Sequence, residues 1–197
     1  MEITNEMVKE LRERTNIGIM DCKRALTEAD GDLEKAIKIL KEKGLITAAK
    51  KAGREVKEGI LGNYLHHDKK LGVFVELFCE TDFVAKNEIF IKLANDIAMH
   101  VAAQAPLAIR KEDLDQNAVK EQKEIFVKLT RESGKPENMI EKIAEGRLTK
   151  WYSEVCLLEQ PFFVDGKTTI QEMINEAVQK TGENISLGKF HRVQVGG

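Results

Sequence analysis

The side chains of this 197-residue sequence that could bind a transition metal or act as nucleophiles are few and scattered. They are His66, His67, His100, His191, Cys22, Cys79 and Cys156. His66 and His67 are neighbours in a predicted strand, so we expect their side chains on opposite faces, where they cannot easily share a metal ion. No cysteine pair has zinc-finger spacing, and Cys22 and Cys79 lie on apolar faces that are typical of buried thiols. We therefore predict no metal site.

A phosphate-binding or hydrolytic site finds little support either. Asp165-Gly166-Lys167-Thr168 resembles the end of a phosphate-binding loop, but the glycine that such a loop needs five positions before Gly166 is replaced by Pro161. A turn followed by a helix cap explains this segment better. No serine lies in a nucleophile-elbow pattern, and most carboxylates stand four residues from a basic side chain, as on helix surfaces. The sequence favours a binding protein, without catalytic residues or a cofactor, over an enzyme.

Charge and composition argue against two further classes of protein. The 31 Lys and Arg residues nearly balance the 33 Asp and Glu residues, and only 6 % of residues are aromatic, which disfavours a nucleic-acid-binding protein. No stretch approaches ~18 apolar residues without a charge, so we expect no membrane partner, and the charged first helix does not resemble a secretion signal. Three cysteines, odd in number and far apart, indicate a reduced, cytoplasmic protein without disulfides.

Residues 1–54 are predicted to form a small helical module with its linker. Three short apolar stripes recur at helical spacing, and Asp32 and Gly44 are a suitable N-cap and C-terminal stop for the third helix. Three helices in so short a segment indicate a bundle of the ubiquitin-associated type. The segment 45–59 carries four basic residues without interleaved aromatics, which favours a solvated, helical linker over a phosphate-binding patch.

Residues 55–197 are predicted to form an α+β core domain. From Gly59 the hydrophobic period changes to two, which indicates an antiparallel hairpin. Thr81 is a suitable cap for the next helix, and 112–155 has the pattern of a helical hairpin. One more helix follows, and a last alternating segment, Ile185–Val195, adds a third strand. The core domain therefore combines an antiparallel sheet with packed helices.

One segment departs from ordinary core and surface patterns. Residues 79–87 read Cys-Glu-Thr-Asp-Phe-Val-Ala-Lys-Asn and closely resemble the C-x-T-D-F-V-A-[KR]-[ND] stretch of the bacterial translation elongation factor Ts family. Further blocks similar to that family occur in its order at 11–15, 20–26, 48–52, 145–148, 157–162 and 182–184. Several independent blocks make the resemblance specific, and the chain length is similar to that of the short form of the family.

The resemblance implies a guanine-nucleotide exchange factor for the GTPase elongation factor Tu. Such a factor binds elongation factor Tu in its GDP-bound and nucleotide-free states, displaces Mg²⁺ and loosens GDP, without a cofactor of its own. The contact residues that the resemblance implies near the magnesium site are Thr81, Asp82, Phe83 and Val84. Those that it implies elsewhere are Ile19 and Met20, where the family usually has Met-Met, and Thr181 and Gly182, where it often has Ile-Gly. Short members of the family are expected to act as homodimers.

Phe83 has two interpretations at the level of sequence. It lies seven residues before Phe90, so helical spacing alone predicts a core residue on the same stripe. The resemblance instead implies an exposed wedge that enters the partner. Two other functions stay open: an adapter of the ubiquitin type, which leaves residues 55–197 unexplained, and an RNA-binding factor, which the sparse aromatics disfavour.

Overall fold

The computed structural model describes residues 3–15, 17 and 19–196, and its mixture of helices and antiparallel sheet confirms the predicted α+β class. Its elements in chain order are α1 (Asn5–Thr15), α2 (Ile19–Glu28), α3 (Leu33–Lys51), β1 (Glu58–Leu65), β2 (Leu71–Cys79), α4 (Asp82–Ala85), α5 (Glu88–Gln104), α6 (Gln116–Glu132), α7 (Glu137–Val155), α8 (Ile170–Thr181) and β3 (Ser186–Gln194). Short 3₁₀ turns lie at Lys111–Asp113 and Leu157–Glu159. The sheet has the order β1-β2-β3, so β2 is central. None of the helices in the described ranges is long and apolar enough to cross a membrane.

The three predicted N-terminal helices are present and share an apolar core. Leu11, Leu26 and Leu40, one from each helix, are almost completely buried in it. Asp32 caps α3 as predicted, since its carboxylate accepts the backbone N–H of Lys35 at 3.0 Å. The helical stripes of the sequence therefore correspond to real buried faces.

The predicted helix stop at Gly44 is wrong, because α3 continues through it to Lys51. A Cβ atom at position 44 would lie only 2.7 Å from Oε1 of Gln179 on α8. The Gln179 side chain therefore lies close to the backbone of α3 at this glycine. The first part of the predicted linker is helical.

The predicted hairpin of β1 and β2 is confirmed, but β1 ends at Leu65, one residue before His66. The expectation that His66 and His67 point to opposite faces is therefore wrong, because strand alternation no longer applies to them. Their ring centroids lie 4.2 Å apart. Among the residues that the structure describes, no group of three or more His, Cys, Asp or Glu side chains could hold a metal ion.

The chain divides into two compact units that both contain strand residues. The first comprises Met1–Gly62, Val75–Asp96 and Glu172–Gly188. In it the sheet lies close to α5, since a Cβ atom at Gly62 would clash with the carbonyl oxygen of Ala94. The second comprises Asn63–Phe74, Ile97–Gln171 and Lys189–Gly197 and contains the helical hairpin of α6 and α7, as predicted. The division between residues 54 and 55 stays a prediction.

The segment Asp165-Gly166-Lys167-Thr168 forms a turn, as the sequence predicted. Oδ1 of Asp165 accepts the backbone N–H groups of Lys167 and Thr168 at 2.9 and 3.1 Å. Gly166 adopts a φ of 64°, in the left-handed region that favours glycine. These local bonds account for the segment without a phosphate-binding loop.

Candidate functional site

The segment 79–87 leaves the sheet at the end of its central strand. Cys79 is the last residue of β2 and is fully buried. Its thiol donates to the carbonyl of Thr81 at 3.2 Å, and burial, together with the charge of Glu183, raises its pKa to about 11. The thiol therefore stays protonated at neutral pH and acts as a packing group, as the sequence predicted.

Thr81 occupies the N-cap position of α4, but its side chain does not cap that helix. The predicted cap is therefore wrong, and its hydroxyl donates instead to Oε1 of Glu183 at 2.6 Å. Oε2 of Glu183 accepts the backbone N–H groups of Glu80 and Thr81 at 3.1 and 3.0 Å. One carboxylate from the connection between α8 and β3 thus fixes the backbone directly before α4.

Glu80 makes a reciprocal contact to the same connection. Its Oε1 accepts the backbone N–H of Asn184 at 2.6 Å, and the Asn184 amide donates in turn to the carbonyl of Arg54 at 2.8 Å. The Arg54 guanidinium lies 3.5 Å from Oε1 of Glu80. Segments far apart in sequence are therefore joined by hydrogen bonds in both directions at the base of α4.

Phe83 projects from α4 into solvent. It is 83 % exposed, whereas the neighbouring Val84 and Ala85 are each only 8 % exposed. One side of this short helix is therefore packed against the protein, while Phe83 lies on the other side. The structure places the four residues of the Thr-Asp-Phe-Val sequence so that Thr81 and Val84 hold the segment and Phe83 is free to touch another molecule.

The core interpretation of Phe83, which rested on its helical spacing from Phe90, is wrong because the helix is interrupted between them. α4 ends at Ala85 and α5 begins at Glu88. Asn87 lies in the break, and its Oδ1 accepts the backbone N–H of Ile89 at 2.8 Å at the beginning of α5. The two phenylalanines therefore do not share one helical register, and only Phe90 is buried.

Asp82 and Lys86 form an ion pair on α4 beside Phe83. Nζ of Lys86 donates to Oδ2 of Asp82 at 2.7 Å. This hydrogen bond and the lysine charge hold the pKa of Asp82 below its ordinary value, and Asp82 raises the pKa of Lys86. Both side chains are exposed, so water and salt screen the pair. An approaching charged partner can therefore separate them at little cost.

The other four residues named from the resemblance lie on two different elements. Ile19 and Met20 begin α2 and are 53 and 67 % exposed. Thr181 ends α8, where its hydroxyl donates to the carbonyl of Ala177 at 2.8 Å. Gly182 follows with a φ of 78°, and its carbonyl accepts a hydrogen bond from the Lys51 ammonium.

Of these residues, the structure brings the Thr181–Gly182 pair next to the segment 79–87. Glu183, the residue after Gly182, is the one that binds the backbone of Glu80 and Thr81. The hydrogen bonds described above do not include Ile19 or Met20, which lie on the N-terminal helices.

Sequence spacing does not identify Glu183 as a site residue, and the sequence marks it only as a member of the block 182–184. The available signal is an acidic residue followed by an amide, Glu183-Asn184, in a short connection between a helix and a strand. Polar side chains in such a position need partners, since burial without hydrogen bonds is costly.

Comparison with known proteins matches nearly the whole chain to one family. The family model described as Elongation factor TS matches residues 2–197. A relative named Elongation factor Ts from Fervidobacterium nodosum is 54 % identical over 196 residues, which cover 100 % of both chains. A relative of the same name from Maridesulfovibrio salexigens is 54 % identical and covers 99 % of this chain and 95 % of its own. Another, from Thermosipho melanesiensis, is 52 % identical over 98 % of this chain and 99 % of its own.

Proposed function

Because the chain belongs to the elongation factor Ts family of translation elongation factors, we propose that it releases GDP from elongation factor Tu in the cytoplasm. The observation that carries the proposal is Phe83, which is 83 % exposed on a helix whose beginning is anchored through Glu183. A large apolar side chain held in solvent by a fixed backbone is typical of an anchor residue in a protein interface.

The proposed mechanism is mechanical and needs no bond-making step. Phe83 enters the GTPase beside its bound Mg²⁺, Asp82 lies at the same contact, and Thr81 and Val84 hold the segment on this chain. Mg²⁺ is a large local charge that holds phosphate oxygens, so its displacement removes a main electrostatic attraction for GDP. Because the chain binds the nucleotide-free partner more tightly than the GDP-bound partner, GDP and the chain weaken each other by the same factor.

The test is the rate at which elongation factor Tu releases a fluorescent GDP analogue when excess unlabelled nucleotide is added. We expect the chain to accelerate release when it is present in smaller amounts than its partner, since an exchange factor is reused. A high concentration of free Mg²⁺ is expected to oppose the acceleration. The variant Leu107→Ala, which alters a side chain that is 70 % exposed outside the segment 79–87, is the matched control. A release rate that the chain leaves unchanged overturns the proposal.

We further propose that the N-terminal helices form a docking module within residues 1–54, while residues 55–197 form the exchanging domain. The exposed Ile19 and Met20 supply an apolar contact to the GTPase, and Thr181 and Gly182 supply a second contact close to Phe83. The internal core of the three helices supports a separate module. A fragment of residues 55–197 is expected to stay folded, with a cooperative unfolding transition in urea, and to bind elongation factor Tu more weakly. Equal affinity of fragment and intact chain contradicts the docking role.

We also propose that two copies of the chain associate through the sheet. Leu65 and Phe74 are 63 and 52 % exposed and lie on the face of the hairpin opposite to the buried Val73. Uncovered apolar side chains grouped on one face are typical of association surfaces. Sedimentation equilibrium is expected to give twice the mass of one chain, and Phe74→Lys is expected to reduce it to the mass of a single chain. A single-chain mass for the unaltered protein contradicts the proposal.

A further inference from the structure

Glu183 holds the backbone from which Phe83 projects, although it lies about one hundred residues further along the chain. Its carboxylate accepts hydrogen bonds from the Thr81 hydroxyl, the Thr81 N–H and the Glu80 N–H, at 2.6, 3.0 and 3.1 Å. An ionised carboxylate only accepts hydrogen bonds, so all three donors match it. Such charge-assisted bonds are stronger than those between neutral groups. The link is therefore a strong polar anchor for the loop that precedes α4.

α4 depends on this anchor because it is too short to hold its own direction. It has four residues, whereas isolated helices need several turns to be stable in water. The residue at its N-cap position donates its hydroxyl to Glu183 and does not cap the helix. The direction of α4 is therefore set by the burial of Val84 and Ala85 on one side and by Glu183 at its beginning.

We propose that Glu183 is a positioning residue for nucleotide exchange, which acts on elongation factor Tu only by fixing the direction in which Phe83 projects. This inference rests on the proposed function. Without the carboxylate, the helix samples several directions, and only the molecules with Phe83 in the competent direction bind the partner. The apparent affinity then falls in proportion to that competent fraction.

Three variants separate positioning from general stabilisation. Glu183→Ala removes all three hydrogen bonds. Glu183→Gln keeps the shape: its amide oxygen accepts the two backbone N–H groups, and its amide nitrogen donates to the Thr81 hydroxyl, which can also accept. Asp165→Ala is the matched control, since the Asp165 carboxylate likewise accepts two backbone N–H groups, in a turn outside the segment 79–87.

The first measurement needs no partner and reads the anchor directly. Amide hydrogen exchange of Glu80 and Thr81, followed by NMR, reports whether their N–H groups stay bonded. We expect Glu183→Ala to remove their protection, Glu183→Gln to retain most of it, and Asp165→Ala to leave it unchanged. Protection that survives in Glu183→Ala overturns the inference, because the anchor is then not what holds the loop.

The second measurement determines how these variants bind elongation factor Tu and stimulate its release of GDP. We expect Glu183→Ala to reduce the affinity for nucleotide-free elongation factor Tu and the stimulated release of GDP by about tenfold, which corresponds to a tenfold smaller competent fraction. Glu183→Gln is expected to restore most of both. In a Phe83→Ala background, Glu183→Ala is expected to cause no further loss of affinity, since the side chain to be positioned is absent. A merely structural role reduces affinity in both backgrounds.

The outcomes distinguish this inference from the function on which it rests. If the unaltered chain fails to release GDP, the proposed function is overturned and the positioning role with it. If the unaltered chain is active, and Glu183→Ala loses amide protection but keeps full exchange, only the positioning role is overturned. An equal loss of affinity in the presence and absence of Phe83 also overturns it. The positioning role is supported if Glu183→Ala loses both amide protection and stimulated exchange, if its loss of affinity requires Phe83, and if Glu183→Gln restores protection and exchange.

Discussion

Replacing Phe83 by alanine is expected to leave the free protein folded. Phe83 is 83 % exposed, so only about one sixth of its surface is withdrawn from water in the free chain. Truncating a fully buried phenylalanine costs about 3–5 kcal/mol, and one sixth of that is roughly 0.5–0.8 kcal/mol. For a protein of this size, such a loss lowers the melting temperature by only about 1–3 °C.

The same truncation is expected to abolish most stimulated GDP release, because the exposed surface becomes buried against the partner. An aromatic side chain buries about 150–250 Å², and at about 25 cal/mol per Å² the exposed five sixths of Phe83 correspond to roughly 3–5 kcal/mol of apolar transfer. Ordering and desolvation of the interface offset part of this gain. A loss of about 2 kcal/mol remains for a typical anchor, which is about thirtyfold in affinity.

Two further variants make the Phe83→Ala experiment decisive. Phe90→Ala alters a fully buried side chain and is expected to lower the free energy of unfolding by about 3–5 kcal/mol. Leu107→Ala alters a side chain that is 70 % exposed elsewhere and is expected to change neither stability nor exchange. Urea midpoints and GDP release rates are measured together for all three. If Phe83→Ala lowers the urea midpoint as much as Phe90→Ala and retains exchange at low temperature, the reasoning from exposure is refuted.

Three further substitutions and one change of pH have defined expectations. Asp82→Ala is expected to slow stimulated GDP release, by an amount that shrinks as free Mg²⁺ is lowered; a defect independent of Mg²⁺ contradicts a role near the metal. Gly62→Ala is expected to lower the free energy of unfolding by about 1–3 kcal/mol, because its Cβ atom meets the backbone of α5. Gly146→Ala, in a helix with open space around it, is expected to raise that free energy by about 0.5–1 kcal/mol, and urea titrations compare the two. Burial raises the pKa of Cys79 and Cys156 to about 11, so the folded chain keeps thiol protons that the unfolded chain loses from about pH 9. The free energy of unfolding measured in urea is therefore expected to fall between about pH 9 and 11, and a flat profile contradicts this.

The order and type of the elements were predictable because most of them bury one regular face. The stripes of α1–α3, the alternation of β1 and β2, and the paired stripes of α6 and α7 are local patterns that sequence spacing reports directly. The errors have causes that lie far away in sequence or in turn geometry. α3 passes through Gly44, where the Gln179 side chain of a distant helix lies close to the backbone. β1 ends at Leu65, and the following turn places two histidine rings together.

The candidate site was predictable only in part, and by resemblance more than by periodicity. The residue types of the segment 79–87 marked it as unusual, but its spacing predicted a buried Phe83. The break at Lys86 and Asn87 changes that result, because a new helix begins there with its own register. Glu183 was not predictable from spacing at all, since its contacts to Thr81 join segments that only the fold brings together.

The exposure of Phe83 and the shortness of the four-residue helix α4 have different physical explanations. Phe83 is also exposed in the unfolded chain, so leaving it in solvent costs the folded state little, and stability alone neither requires nor forbids it. The short helix is different, because without support its formation would be unfavourable. Its support comes from the burial of Val84 and Ala85 and from the hydrogen bonds of Glu183, and none of these contacts buries Phe83 itself. The surrounding structure thus fixes the direction in which Phe83 projects, although the Phe83 side chain packs against little of its own protein. This arrangement is explained if Phe83 becomes buried against the partner. Removing the Glu183 carboxylate and removing the Phe83 side chain are therefore both expected to weaken binding to the partner.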